Sequence, residues 1–205
     1  MIANMLSVRR SLEHANEKRR EMEKANERLL EKSETDPLTR LANRFRLNDY
    51  LERAFERARD DHRAFAVEIL DIDYFKEYND NYGHQAGDAC IVAIADELRK
   101  MQSHDTFCAR YGGDEFIIIY EYKTEDEVFS MADSLRERIL DRRIEHVCSK
   151  ALPVVTISQG ICFDVAPEGS RSWDFLHAAD MMLYEVKKRS RNNISLGHLD
   201  AKEAR

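Results

Sequence analysis

The chain has 205 residues, 43% hydrophobic and 35% charged, enough apolar material for a core of ordinary domain size in a soluble protein. A net charge of −7 argues against broad binding to DNA or RNA, although a small phosphorylated ligand senses only local charge. The longest apolar runs, such as Phe116 to Tyr120, are too short to cross a bilayer, and the N-terminus lacks the apolar stretch of a signal peptide.

From Met5 to Lys32 there is no Gly or Pro and charge dominates. Val8, Ala15, Met22 and Leu29 recur every seven residues, with Met5 and Leu12 on a second row that Arg19 and Asn26 continue. This polar heptad seam predicts a helical stalk over 1–34, either a dimerising coiled coil or a solvated single helix. The stalk stops at Ser33-Glu34-Thr35-Asp36-Pro37, where Thr35 or Asp36 is placed to cap a helix with Pro37 at its first position. Asn43 to Arg59 carries a helical apolar stripe that includes Phe45 and Tyr50, and Ala64 to Ile72 reads as a buried strand ending in acids. A helix over Gly87 to Met101 follows, then strands over Thr106 to Tyr111 and Phe116 to Tyr122. Glu125 to Arg142 is helical, Val154 to Phe163 a strand, Ser172 to Arg189 a helix, and a short last strand lies near Ile194. Helices alternating with strands, plus one hairpin, predict an α+β domain over 35–197 with a mixed or antiparallel sheet, and a tail over 198–205. Cys90, Cys108, Cys148 and Cys162 form no CxxC pair and read as buried thiols in a reducing cytoplasm.

Four stretches carry chemistry. In "RYGGDEF", from Arg110 to Phe116, the glycines predict a type I′ hairpin turn, and strand alternation sends Asp114 and Glu115 to opposite faces, so that one at most is central to a site. In "DID", Asp71 and Asp73 share a face at the end of a buried strand. They suit a Mg2+ site completed by the Ile72 carbonyl, or Asp73 merely caps the helix starting near Tyr74. In "NDNYGHQAGD", a loop opening a helix near Gly87, Asn79 and Asp88 suit a guanine edge, the amide meeting acceptors and the carboxylate accepting from N1–H and the 2-amino group; ordinary turn chemistry explains the same residues. His84 in that loop is either a catalytic group or a structural hydrogen-bonder. Lys187 and Arg191, four apart at the end of a helix, share a face that would grip phosphates, or simply complement the helix dipole.

Taken in order, "DPLTRLANR", "DIDYFKEYNDNYGHQAGD", "RYGGDEF", "TISQGI" and "AADMMLYEVKKRSRN" resemble the GGDEF family of diguanylate cyclases over roughly Ser33 to Leu196. The resemblance implies a five-stranded central sheet flanked by helices, akin to the polymerase palm and the nucleotide cyclases. It implies condensation of two GTP into cyclic di-GMP across a homodimer, one GTP per domain. Asp71, the Ile72 carbonyl and Asp114 would hold Mg2+, or Mn2+ in its place. Glu115 would support the metal, and Asp114 would also help deprotonate the 3′-hydroxyl. Asn79 and Asp88 would read guanine, Ile91 line the base pocket, Lys76, Lys187 and Arg191 bind phosphates, and His84 sit near the nucleotide. An upstream sensor domain and pairing through the N-terminal helix fit the same pattern. The chain departs from the family at Ser103 and Thr106, which replace the Arg and Asp of the RxxD product-inhibition motif, and at Arg40 and Ser190, where Gly is usual. An inactive GGDEF module that binds nucleotide and signals through contacts is the alternative reading.

Overall fold

The structure is a computed structural model that describes residues 17–20, 22, 34–167 and 169–199. The chain divides into two units, Met1–Glu34 and Thr35–Arg205. In the first, residues 17–20 and 22 are helical and exposed; the rest of the heptad seam lies outside the described residues. Among the described residues no helix is long and apolar enough to cross a membrane.

The second unit runs α1 (Arg44–Asp60), β1 (Ala64–Ile72), α2 (Phe75–Tyr82), α3 (His84–Met101), β2 (Thr106–Gly112), β3 (Glu115–Glu121), α4 (Glu125–Asp141), β4 (Ile157–Val165), α5 (Ser172–Arg189) and β5 (Ile194–Gly197). The five strands form one mixed sheet in the order β2-β3-β1-β4-β5, with only β4 and β5 parallel, joined through α5. β1 is therefore central, and all of it beyond Ala64 is buried. Alternation divides its apolar side chains between the two faces. Phe65, Val67 and Ile69 join the core with α1 and α5, whereas Ala66, Leu70 and Ile72 join the core with α3 and α4.

Local signals explain most boundaries. Asn43 caps α1 by accepting from Arg46 N at 3.0 Å, and Thr124 with Glu127 forms a capping box on α4. Along α1 the buried stripe is Leu47, Leu51, Ala54, Phe55 and Ala58; Phe45 faces solvent instead. Asp36 caps no helix. Its carboxylate accepts from Thr39 N at 2.8 Å, but the chain turns back at Arg40, whose φ of 60° no α-helix tolerates. The expected loop over 79–88 is instead two helices broken at Gly83, because Phe75 and Tyr78 bury one face of α2 beneath its polar residues. Cys90, Cys108 and Cys162 are buried, but Cys148 is exposed. Gly160 lets α5 lie directly on β4: a Cβ there would overlap the Ala179 carbonyl and the Leu183 amide.

One ionisable residue sits inside the sheet. Glu68 is fully buried, takes a 2.7 Å hydrogen bond from Tyr120 Oη, and leaves Oε1 without a partner. Burial pushes its pKa up to about 7, against the opposing pull of the Tyr120 hydrogen bond. A carboxyl raised on folding stabilises the fold below its unfolded pKa, and that stability is lost as pH rises through 7. Glu68→Gln should therefore remove about 2 kcal/mol of pH dependence between pH 5 and 8.5, read by urea unfolding at both pH values.

The two positions where the resemblance expects Gly behave differently. Ser190 has φ −138° and needs no glycine, whereas Arg40 holds a left-handed backbone that costs a non-glycine residue about 1–2 kcal/mol. Offset by glycine's greater unfolded freedom, Arg40→Gly should stabilise by roughly 0.5–1 kcal/mol, a rise of about 2 °C in a thermal melt.

Candidate active site

The site forms where β1 leaves the sheet. Asp71 lies opposite Glu115 on β3 and opposite Ser158 on β4, so the sheet itself sets two carboxylates side by side. The hairpin that supplies the other acid is not the expected Gly-Gly turn. Gly112 pairs with Glu115 after a bulge at Tyr111, which leaves Gly113 and Asp114 as the two turn residues. Only Gly113 has positive φ, at 54°, the pattern of a type II′ turn rather than type I′. Asp114 thus leaves the pleat, strand alternation does not govern it, and both acids bear on Asp71.

Asp71 is 7% exposed, and Lys187 Nζ stands 2.8 Å from its Oδ2. Burial pushes the Asp71 carboxyl up to about 7; the Lys187 ammonium opposes this, while Asp114 and Glu115 add to it. Glu115 is raised as well, first by burial, with Asp114 and Asp180 pushing up and Lys187 and Arg44 pulling down. On its α5 side Glu115 borders a cleft of about 350 Å³ with Tyr111, Trp173, His177 and Asp180.

Asp73 caps no helix. Thr156 Oγ1 and Ser158 Oγ donate to it at 2.7 Å each and Asn192 N at 3.0 Å, so it stitches β4 and the α5–β5 connection to the end of β1. Helix α2 starts instead from Tyr74, in a left-handed conformation with φ 56°. Its carbonyl is bonded by His146 Nε2 at 3.1 Å, and its ring lies under the Arg191 guanidinium at 4.3 Å. Arg191 does not share a helix face with Lys187: α5 ends at Arg189, and Arg191 follows with φ 51°. The tertiary fold nevertheless directs both cations to the end of β1, Lys187 to Asp71 and Arg191 to within 3.8 Å of Asp73.

Across the sheet, Asn79 on α2 faces Gly87 on α3, and Asp88 follows it, exposed. Lys76 and His84 are also exposed, and Ile91 is buried in the core with Phe75 and Tyr78. Sequence reasoning assigned no task to Arg110. Its guanidinium contacts Asp36 at 3.2 Å and donates twice to the Gly113 carbonyl, at 3.1 and 2.8 Å, tying the signature turn to the chain entry. Nothing in the spacing of two residues 74 apart announces that pair.

The donor set is all oxygen, which suits a hard divalent cation such as Mg2+ rather than zinc. Among the described residues no three His, Cys, Asp or Glu side chains close a metal cage alone.

A family model described as "Diguanylate cyclase, GGDEF domain" matches residues 33–193. The bifunctional diguanylate cyclase/cyclic di-GMP phosphodiesterase MucR of Pseudomonas aeruginosa is 34% identical over 169 residues, 82% of this chain and 24% of that protein. Diguanylate cyclase DgcP of Escherichia coli is 30% identical over 178 residues, 87% of this chain and 51% of the relative. The chain thus spans about a quarter of one of these relatives and about half of the other. Among solved structures, the coiled coil and GGDEF domain of Caulobacter crescentus DgcB in complex with c-di-GMP superposes with TM-score 0.74 at 28% identity, covering 93% of this chain and all of that one. Diguanylate cyclase SiaD of P. aeruginosa with its activator SiaC gives 0.70 at 26% identity, over 95% of this chain and 73% of SiaD.

Asp36 and Arg110 are both largely buried, at 17% and 14% side-chain exposure, so the pair is costly to break from one side. Burial alone would raise the Asp36 carboxyl, but hydrogen bonds from Thr39 and the charge of Arg110 hold it below its usual value. Arg110→Met should cost roughly 1–3 kcal/mol in urea unfolding at neutral pH, and less as pH falls through the carboxylate range.

Proposed function

The chain belongs to the GGDEF family of diguanylate cyclases, and from that premise we propose that it condenses two GTP into cyclic di-GMP with release of two pyrophosphates. The observation that carries this reading is the grouping of Asp71, Asp114, Glu115 and Lys187 where β1 leaves the sheet. Asp71, Asp114 and the Ile72 carbonyl would hold Mg2+ or Mn2+, with Glu115 in support. The ion, when bound, supplies charge stabilisation at the reacting phosphate and the departing pyrophosphate.

The remaining roles fall to the chain's own side chains. Asp114, at the tip of the turn, accepts the proton of the attacking 3′-hydroxyl. Lys187 and Arg191 bind phosphate oxygens, and Lys76 extends that cationic rim. Asn79 and Asp88 read guanine, Ile91 underlies the base, and His84 lies near the nucleotide. Each domain provides half of the reaction, so two copies meet with their signature turns facing, brought together by residues 1–34; in a longer protein a sensor domain would act through that helix. Feedback by product is absent at Ser103–Thr106. The acid of that stretch, Asp105, is engaged by Lys123 at 2.7 Å and Ser103 at 2.6 Å, and Thr106 is 1% exposed.

Incubation with GTP and Mg2+ should yield cyclic di-GMP. Asp114→Ala should lower turnover on the order of 10²–10³-fold, the scale of losing one preorganised electrostatic partner. Unchanged GTP with the wild type, at concentrations where it dimerises, would leave the non-catalytic nucleotide-binding module standing instead. In the active case, added cyclic di-GMP should not depress the initial rate, and inhibition relieved by mutating Ser103 or Thr106 would contradict the absence of a product site there.

A further inference from the structure

Helices α2 and α3 pack so closely beyond Gly83 that one side-chain amide rests on the backbone of the next helix. A Cβ at Gly87 would overlap Asn79 Oδ1 outright and stand 3.0 Å from Asn79 Cγ and 3.2 Å from Phe75 Cζ. That Oδ1 is sealed from solvent and has no hydrogen-bond partner among the described residues. It is therefore the missing Cβ, rather than a donor, that makes room for the oxygen. Asn79 as a whole is only partly buried, and its Nδ2 is not sealed and unpartnered as the Oδ1 is.

We propose that Gly87 is a specificity-determining positioning residue, whose bare Cα seats the Asn79 oxygen and leaves its Nδ2 as the group offered to the base. The inference rests on the reading in which Asn79 and Asp88 face guanine. Under that reading the site offers one fixed donor from Asn79 and one fixed acceptor from Asp88 on either side of Gly87. A base edge must match both. Turning the amide over would exchange donor for acceptor and lose that match, so Gly87 acts on the choice of base without touching it. Because Asn79 Oδ1 is the end of a rotatable side chain, a methyl at position 87 displaces the amide rather than unfolding the helices. Ala is also intrinsically better than Gly inside a helix, so the fold has its own reason to accept the substitution.

The test uses four proteins: wild type, Asn79→Ala, Gly87→Ala and the double variant, each melted and each titrated with GTP and with ATP. Either single variant should weaken GTP binding about 10-fold, the scale of a lost hydrogen bond to a buried partner, and leave weak ATP binding unchanged. The double variant should bind GTP no worse than the single ones. With Ala at 79 the overlap with the amide is gone and only the Phe75 ring, 3.2 Å away, must give, so Gly87→Ala should raise Tm by up to about 2 °C; with Asn at 79 the gain should be smaller or reversed. Equal Tm shifts in both backgrounds, with additive losses of GTP affinity, would overturn the steric coupling. A persistent Tm coupling with an unchanged GTP-to-ATP preference in Asn79→Ala would instead overturn the guanine reading, and the specificity role with it.

Discussion

The site depends on carboxylates held closer together than they would choose. Asp71 and Glu115 are cross-strand neighbours on β1 and β3, and the charge of Asp114 in the turn adds to theirs. Free side chains would separate to relieve the repulsion, but the ladder of β1 between β3 and β4 fixes their backbones. Burial first, with the repulsion adding to it, raises the Asp71 carboxyl, and the Lys187 ammonium answers part of it. A site in that condition has standing affinity for positive charge, which is the property a phosphoryl-transfer centre uses.

The surroundings absorb the consequences. Backbone exceptions border the site: Tyr74 after β1, Gly113 in the signature turn, Arg191 and Asn192 after α5. Sparsely populated backbone angles persist only where neighbours over-determine them, and the neighbours here are identifiable. Tyr74 is held by His146 at its carbonyl and Arg191 over its ring. Gly113 is held through its own carbonyl by Arg110, which Asp36 anchors in turn. Asp73, with four side-chain contacts and 1% exposure, is the rivet that joins these connections. Being saturated with partners, it is an anchor for the site rather than a group with valence to spare.

Periodic signals were legible in the chain and isolated ones were not. The stripe of α1 and the apolar run of β1 declared their elements because burial repeats at the helix or strand period. The polar stretch over 79–88 misled, since Asn and Asp favour turns until a few apolar residues, here Phe75 and Tyr78, bind one face to a core. The same limit applies to Lys187 and Arg191. Their spacing of four implied a shared face, yet the helix ends between them: Lys187 reaches β1 from the helix itself, and Arg191 from a left-handed turn that no spacing rule describes.

Sequence alone determined which residue types stand at which strand ends, since alternation and hydrophobic patterning are properties of local order. It placed Asp71 at the end of a buried strand and Asp114-Glu115 beside a glycine turn. Tertiary structure alone decided that Asp71 pairs with Glu115, that the turn is centred on Gly113 and Asp114, and that Arg110 reaches Asp36. It also decided that Gly87 matters for the space it leaves to Asn79 rather than for its flexibility. The physical reason is the same in each case: strand register, bulges and close contacts between helices depend on the packing of segments far apart in the chain, and no local pattern encodes the distance between them.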